Sequence, residues 1–211
     1  GGTGTQNCID FSAAALNDGT GNGPGASIIS VAGTIQAGKN NVVASLIYNT
    51  VATTHSAYIA NVLMTTGGDV RVSAVDSTKI QSVTIGFGLA TSQFAGVGGM
   101  TISSIANTVS ASIGNNLSSA TQSSVTGRNI SVLATDNSSI TGTAAVAGAS
   151  TQGSAAGLAL VYSNIANNVS SGVTGSKLRA SGNVAVNANS NARIPTVAFG
   201  NAISSQIGLA G

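Results

Sequence analysis

Val70-Arg71-Val72-Ser73-Ala74, with Ile80 after it, returns as Ile130-Ser131-Val132-Leu133-Ala134 with Ile140, and again as Val184-Ala185-Val186-Asn187-Ala188 with Ile194. In each copy the isoleucine stands ten residues beyond the first β-branched residue, across a gap rich in Asp, Asn, Ser and Thr. The pattern is a short strand, a polar turn and a second strand. Repetition of such a unit at a fixed period marks a solenoid or array and outranks any local propensity.

The copies extend well beyond this stretch. Residues 46–80 lie over residues 160–194 at a constant offset of 114, without a gap, which sets Leu46-Ile47-Tyr48 on Leu160-Val161-Tyr162. The middle copy fits in two pieces, residues 100–115 at an offset of 54 from the first copy and residues 129–140 at an offset of 60. Six residues are therefore inserted between Asn115 and Asn129. The unit is about 54 residues long, with starts near Leu46, Met100 and Leu160 and an inserted loop over 116–128. Each unit holds four or five strand-like segments bounded by Gly, Asn and Asp. The turns Asp76-Ser77-Thr78 and Asp136-Asn137-Ser138-Ser139 are made of residues that bond their own backbone.

A single unit has too little apolar surface to offset roughly 1–2 kcal/mol of backbone entropy per ordered residue, whereas stacked units bury a continuous core. The expected fold is all-β, a right-handed parallel β-helix (solenoid), the hand following from the bias of parallel crossovers. Val70, Val72, Ala74 and Ile80 with their counterparts form the inward set, and Asn or Thr ladders line the turns. The low strand count per unit favours two coils of about 27 residues over three of about 18. About seven coils would then make a rod on the order of 35 Å long. Residues 1–25 read as a Gly-rich linker or irregular start, in which Ile9 to Leu16 fits either a short strand or a helical turn; the repeat domain spans 26–211.

Composition supports this. Only 6% of the 211 residues are charged, against about a quarter in ordinary domains, yet 42% are hydrophobic and 28 are Gly. Abundant Val, Ile and Thr favour strands. A net charge of +2 is too thin for a nucleic-acid footprint. Cys8 is alone, so neither an internal disulfide nor a cysteine metal cluster is expected. No run of 18 apolar residues would cross a membrane as a helix, and at 3% aromatics the girdles of an outer-membrane barrel are missing. The chain opens on Gly1-Gly2 with no targeting segment, and is expected to be an excerpt whose export signals lie elsewhere.

An Asn-Thr-Val segment (Asn107-Thr108-Val109, relaxed to Asn167-Asn168-Val169) alternates with a Gly-Asp/Asn-Val-x-Val-x-Ala segment (Gly68 to Ala74, Gly182 to Ala188). These residues resemble the repeats of large secreted adhesins of Gram-negative bacteria, the filamentous-haemagglutinin-like and leukotoxin-like filamentous adhesins, exported by two-partner secretion or autotransport. The resemblance covers about residues 26–211. It implies a virulence-associated, extracellular or bacterial cell-surface stalk, with neighbouring repeats of the same polypeptide as its first partners and a host or bacterial glycan or protein receptor as a further one.

Chemistry is scarce. Polysaccharide lyases and hydrolases built as β-helices need paired carboxylates, or calcium-binding Asp clusters with a basic residue, on one face. The acids here are Asp10, Asp18, Asp69, Asp76 and Asp136. Asp69, Arg71 and Asp76 are close in sequence, but the other copies carry Asn129 and Asn183, and Ser131 and Ala185, in place of the first two. A carbohydrate-active enzyme is therefore the second reading, and no catalytic, metal or cofactor residue is assigned. His55, the only histidine, aligns with Val109 and Val169 and reads as an inward structural residue. Gly96-Val97-Gly98-Gly99 lacks the Lys-Ser/Thr pair of a phosphate loop. Thr53 becomes Asn107 and Asn167, which breaks the regular Thr array of an ice-binding face. The insertion is the one departure from the repeat, and insertions in solenoids often map to a binding face. Its polar residues Asn116, Ser118, Thr121, Gln122 and Arg128 suit a glycan or protein surface.

Overall fold

The computed structural model describes residues 9–14, 26–114 and 123–211, and every regular element among them is a β-strand. β1 (Ile9–Ala14) lies inside the stretch read as an irregular start. A first circuit follows: β2 (Ser27–Gly38), β3 (Asn41–Val51), β4 (Thr54–Ala60), β5 (Leu63–Thr65) and β6 (Val70–Asp76). The second is β7 (Lys79–Ala90), β8 (Phe94–Ile105), β9 (Thr108–Gly114), β10 (Ser124–Gly127) and β11 (Ile130–Asp136). The third is β12 (Ser139–Ser150), β13 (Ser154–Ile165), β14 (Asn168–Thr174), β15 (Lys177–Ala180) and β16 (Val184–Ser190), and β17 (Thr196–Ser204) and β18 (Gly208–Ala210) open a fourth.

Each strand pairs in parallel with the strand one circuit later, giving five sheets: β1-β6-β11-β16, β5-β10-β15, β2-β7-β12-β17, β3-β8-β13-β18 and β4-β9-β14. The phases of the sequence repeat are the strand registers. Val70 pairs with Ile130 and that with Val184, and Leu46 pairs with Met100 and that with Leu160. One correction follows for the coil count. A full repeat makes one layer, not two coils of about 27 residues, because two of its five strands run 11–12 residues each and use up the chain. First and last strands of a four-stranded sheet are then only about 14 Å apart, not ~35 Å.

The insertion is also sharper than expected. Two residues join β4 to β5 and β14 to β15, but nine join β9 to β10, and Ser124–Gly127 is itself a strand pairing with both neighbours. The extra chain therefore lies ahead of Ser124. The corner it interrupts is a left-handed one: Asn61 (φ 53°) and Gly175 (φ 58°) both directly follow residues paired with Gly114. Asn and Gly are the residues that adopt this conformation at least cost.

In cross-section each layer has a body and an arm. The body core joins Ile59, Val70, Val72, Ala74, Val109, Ile113, Val125, Ile130, Val132 and Ala134, all at most 3% exposed. Alternation along β6 and β11 turns these inward, and burial of each such Val or Ile is worth about 1.5–3 kcal/mol. The same register positions in the last layer have nothing above them: Val186 is 41% exposed, where Val72 and Val132 are at 0%.

The arm is the two long sheets packed face to face. Val51, Ile80, Ile105 and Ile140 fill its base, and Ala90, Ala95 and Ala155 its tip. Between them the filling is small. Val97 on β8 sits against Gly86 and Gly88 on β7, where an added Cβ would lie 2.8 and 2.7 Å from its methyl groups. Hydroxyl pairs cross the same gap, Thr84 to Thr101 at 2.8 Å and Ser82 to Ser103 at 3.3 Å. Glycine on one sheet lets the facing sheet approach, which is where the high Gly, Ala, Ser and Thr content goes.

Candidate functional site

Asn116, Ser118, Thr121 and Gln122 lie outside the described residues. Arg128 is described, and stands at the turn after β10 rather than in the inserted chain. Its Nε and Nη2 donate to the two carboxylate oxygens of Asp69, one layer below, at 2.9 and 3.1 Å. The Asn129 backbone N–H and Nδ2 donate to the same carboxylate, and Asn129 Oδ1 accepts from the Asn183 N–H of the next layer. Bonds from Arg128 and then Asn129 hold the exposed Asp69 carboxyl down at about 2, against a small opposing cost of desolvation. This is a turn ladder climbing three layers, with an ion pair at its foot.

A second ladder is buried where body meets arm. Asp76, Asp136 and Ser190 end β6, β11 and β16 at one register position. Asp76 and Asp136 are fully buried. Asp76 accepts from Thr78 Oγ1 at 2.7 Å, Asn107 Nδ2 at 2.6 Å and Ser138 Oγ at 2.9 Å. Asp136 accepts from the Ser138 N–H and from Ser190 Oγ, and shares with Asp76 the single proton of the Ser138 hydroxyl. Burial works against its charge, but bonds from Ser138, Asn167 and Ser190 outweigh that and keep its carboxyl below the usual carboxylate range. Across the gap, Asn107 Oδ1 accepts from the Thr53 N–H and Asn167 Oδ1 from the Asn107 N–H, each 2.8–2.9 Å. Every layer is tied to the next through these side chains.

His55 is in this network, 7% exposed, opposite Val109 in register. Its Nε2 lies 3.2 Å from Thr53 Oγ1 and 3.4 Å from Asp76 Oδ1. Asp69, Arg71 and Asp76, neighbours in sequence, are parted by the strand: Asp69 is in the outer ladder, Arg71 points outward and Asp76 points into the junction. Among the described residues no three His, Cys, Asp or Glu side chains gather as a metal site.

Two surface depressions among the described residues lie near these groups or the repeat's outward rows. One is polar, a shallow groove lined by Asn137, Ser138, Ser139, Asn191 and Arg193 at the last layer. The other is apolar, a cleft of about 300 Å³ on the outer face of β3, β8 and β13, lined by Ala44, Leu46, Gly98, Met100, Leu158 and Leu160 among others. Sequence reasoning aligned Leu46-Ile47-Tyr48 with Leu160-Val161-Tyr162 but took them only as evidence of the repeat. Their alternation, apolar outward as well as inward, was the available signal. Among the described residues no helix is long and apolar enough to cross a membrane. No protein-family model, curated protein or solved structure matches the chain.

Proposed function

We propose that the chain is a structural repeat segment of an extracellular adhesin or cell-surface fibre, folded as a right-handed parallel β-helix and serving as a stalk. The observation that carries the reading is the use made of buried polar groups: Asp76, Asp136 and Asn107 are bonded from layer to layer, through Ser138 and the half-buried Asn167, instead of lining a cleft. Such satisfied networks fix register and rigidity. The half-exposed Val184, Val186 and Ile194, whose counterparts below are buried, form a surface that a further repeat of the same polypeptide covers.

The resemblance to secreted filamentous adhesins supports the extracellular and adhesive part. The inserted chain between β9 and β10, with Asn116 to Gln122 in it, is the proposed contact with a glycan or protein receptor. Electron microscopy of the native polypeptide carrying this segment, with protease shaving of intact cells, tests the reading. A continuous shaft removed by external protease is expected. A compact intracellular body, or turnover of a uronate polymer that Asp69→Asn or Asp76→Asn abolishes, overturns it in favour of a carbohydrate-active enzyme.

A further inference from the structure

We infer that the outer face of β3, β8 and β13 is a self-association surface, and that its occupant is the same face of a second copy of this chain. The inference does not depend on the stalk reading. Outward positions carry three matched rows: Ala44, Gly98 and Leu158; Leu46, Met100 and Leu160; Tyr48, Ile102 and Tyr162. Leu46 is 63% exposed, Tyr48 69% and Tyr162 60%, and Leu160 is half-exposed. No outward residue of the three strands is charged. The arrangement runs against the usual order, since between β7 and β8 beyond the arm's base the inward side is mostly Gly, Ala, Ser and Thr around Val97, while Leu46, Tyr48, Leu160 and Tyr162 face out. Contiguous apolar patches of this kind mark interaction sites.

Gly98 sharpens the point. A Cβ there would have only ordinary contacts at 3.8 Å, from Ala44 Cβ and the Val43 carbonyl. Internal packing therefore does not require glycine at this position, in contrast to Gly86 and Gly88. Its effect is the furrow, with Leu158 and Leu160 as a ridge on one side. A furrow beside a ridge on one face is self-complementary under a two-fold axis, each Leu158 seating over the Gly98 of the other copy.

Size and chemistry select the occupant. A face three strands wide and up to twelve residues long measures about 14 by 40 Å. Two copies pressed together cover on the order of 1,100 Å², past the ~1,000 Å² that a specific interface needs. The face lacks the Lys and Arg that draw an apolar surface onto anionic lipid. It also lacks, along its centre, the polar groups that hold a glycan. Opposite it, the outer face of β2, β7, β12 and β17 also exposes apolar side chains, among them Val31, Ile35, Ile85 and Phe199, but small or polar residues interrupt its rows, Gly33 and Ala145 on either side of Ile85 and Asn201 beside Ala147.

Sedimentation velocity and light scattering of the chain from roughly 1 to 100 μM, where interfaces of this size operate, test the inference. A closed dimer is expected. Leu160→Lys, and independently Gly98→Leu, which fills the furrow without adding charge, are expected to raise the dimer dissociation constant 100-fold or more, with a melting temperature unchanged when it is measured at a concentration low enough that the unsubstituted chain is also monomeric. Ile85→Lys on the opposite face leaves the dimer intact. A chain monomeric throughout overturns the inference. So do open-ended oligomers that both variants still form, which would report pairing through strand edges, and a monomer that binds phosphatidylcholine vesicles through this face.

Discussion

Asp76 and Asp136 stand directly above one another at the same register position, both fully buried, and the Ser138 hydroxyl reaches both carboxylates. Two buried acids one layer apart cost stability unless each is bonded, and here each accepts several bonds from Thr, Ser and Asn. Removing one end leaves donors orphaned. Asp136→Ala strips the Ser138 N–H and the Ser190 hydroxyl of their acceptor, and a loss of about 2–4 kcal/mol is expected. For a chain of this size that lowers the melting temperature by roughly 5–15 °C. Thermal unfolding followed by far-UV circular dichroism reads it.

Asp69 and Asp136 set the response to acid. Asp69, at about 2, and Asp136 are both depressed in the folded state from an ordinary value of 3.8. Their contribution is therefore fully present above about pH 4 to 5 and is lost as pH falls through the folded values. Denaturant midpoints should be flat from pH 7 to 5 and decline from pH 4 toward 2. Asp136→Asn should reduce the decline. A midpoint unchanged at pH 2.5 contradicts the assignment.

Val97 between Gly86 and Gly88 predicts a rescue. Gly86→Ala puts a methyl 2.8 Å from Val97 Cγ1 and 3.3 Å from Val146 Cγ1, a clash expected to cost about 1–3 kcal/mol. Trimming the facing side chain by Val97→Ala should restore about half of that in the double variant, even though Val97→Ala alone destabilises. A double-mutant cycle in urea measures the coupling.

How far the sequence carried the reading depends on which direction of the fold is asked about. Along the stacking axis it was legible, because stacked positions must match: the offsets of 54 and 60 are strand registers, and Val70, Val72, Ala74 and Ile80 are buried as their repetition implied. Around the circuit it was not. Alternation of apolar and small residues along β7 and β8 is the same whether the chain returns after 27 residues or after 54, so the flat arm went unseen. β1 escaped because six residues give too short an alternation to separate strand from turn. Arg128 was grouped with the insertion because the offset changes somewhere before Asn129, while its partner Asp69 is 59 residues away.

His55 makes the last case, and it separates a structural histidine from a functional one. Its register partner Val109 is fully buried, so the site accepts a branched aliphatic one layer up. His55→Val removes the 3.4 Å contact to Asp76 but leaves that carboxylate the bonds from Thr78, Asn107 and Ser138. The apolar replacement adds packing where the imidazole had to be desolvated. The two effects oppose, and a net change within about 1 kcal/mol is expected. Asn107→Ala, by contrast, orphans the Thr53 N–H and takes a donor from Asp76 at once, and should cost about 2–3 kcal/mol. Urea midpoints of the two variants, measured side by side, should rank in that order. A reversed order would assign the junction to His55 rather than to the asparagine ladder.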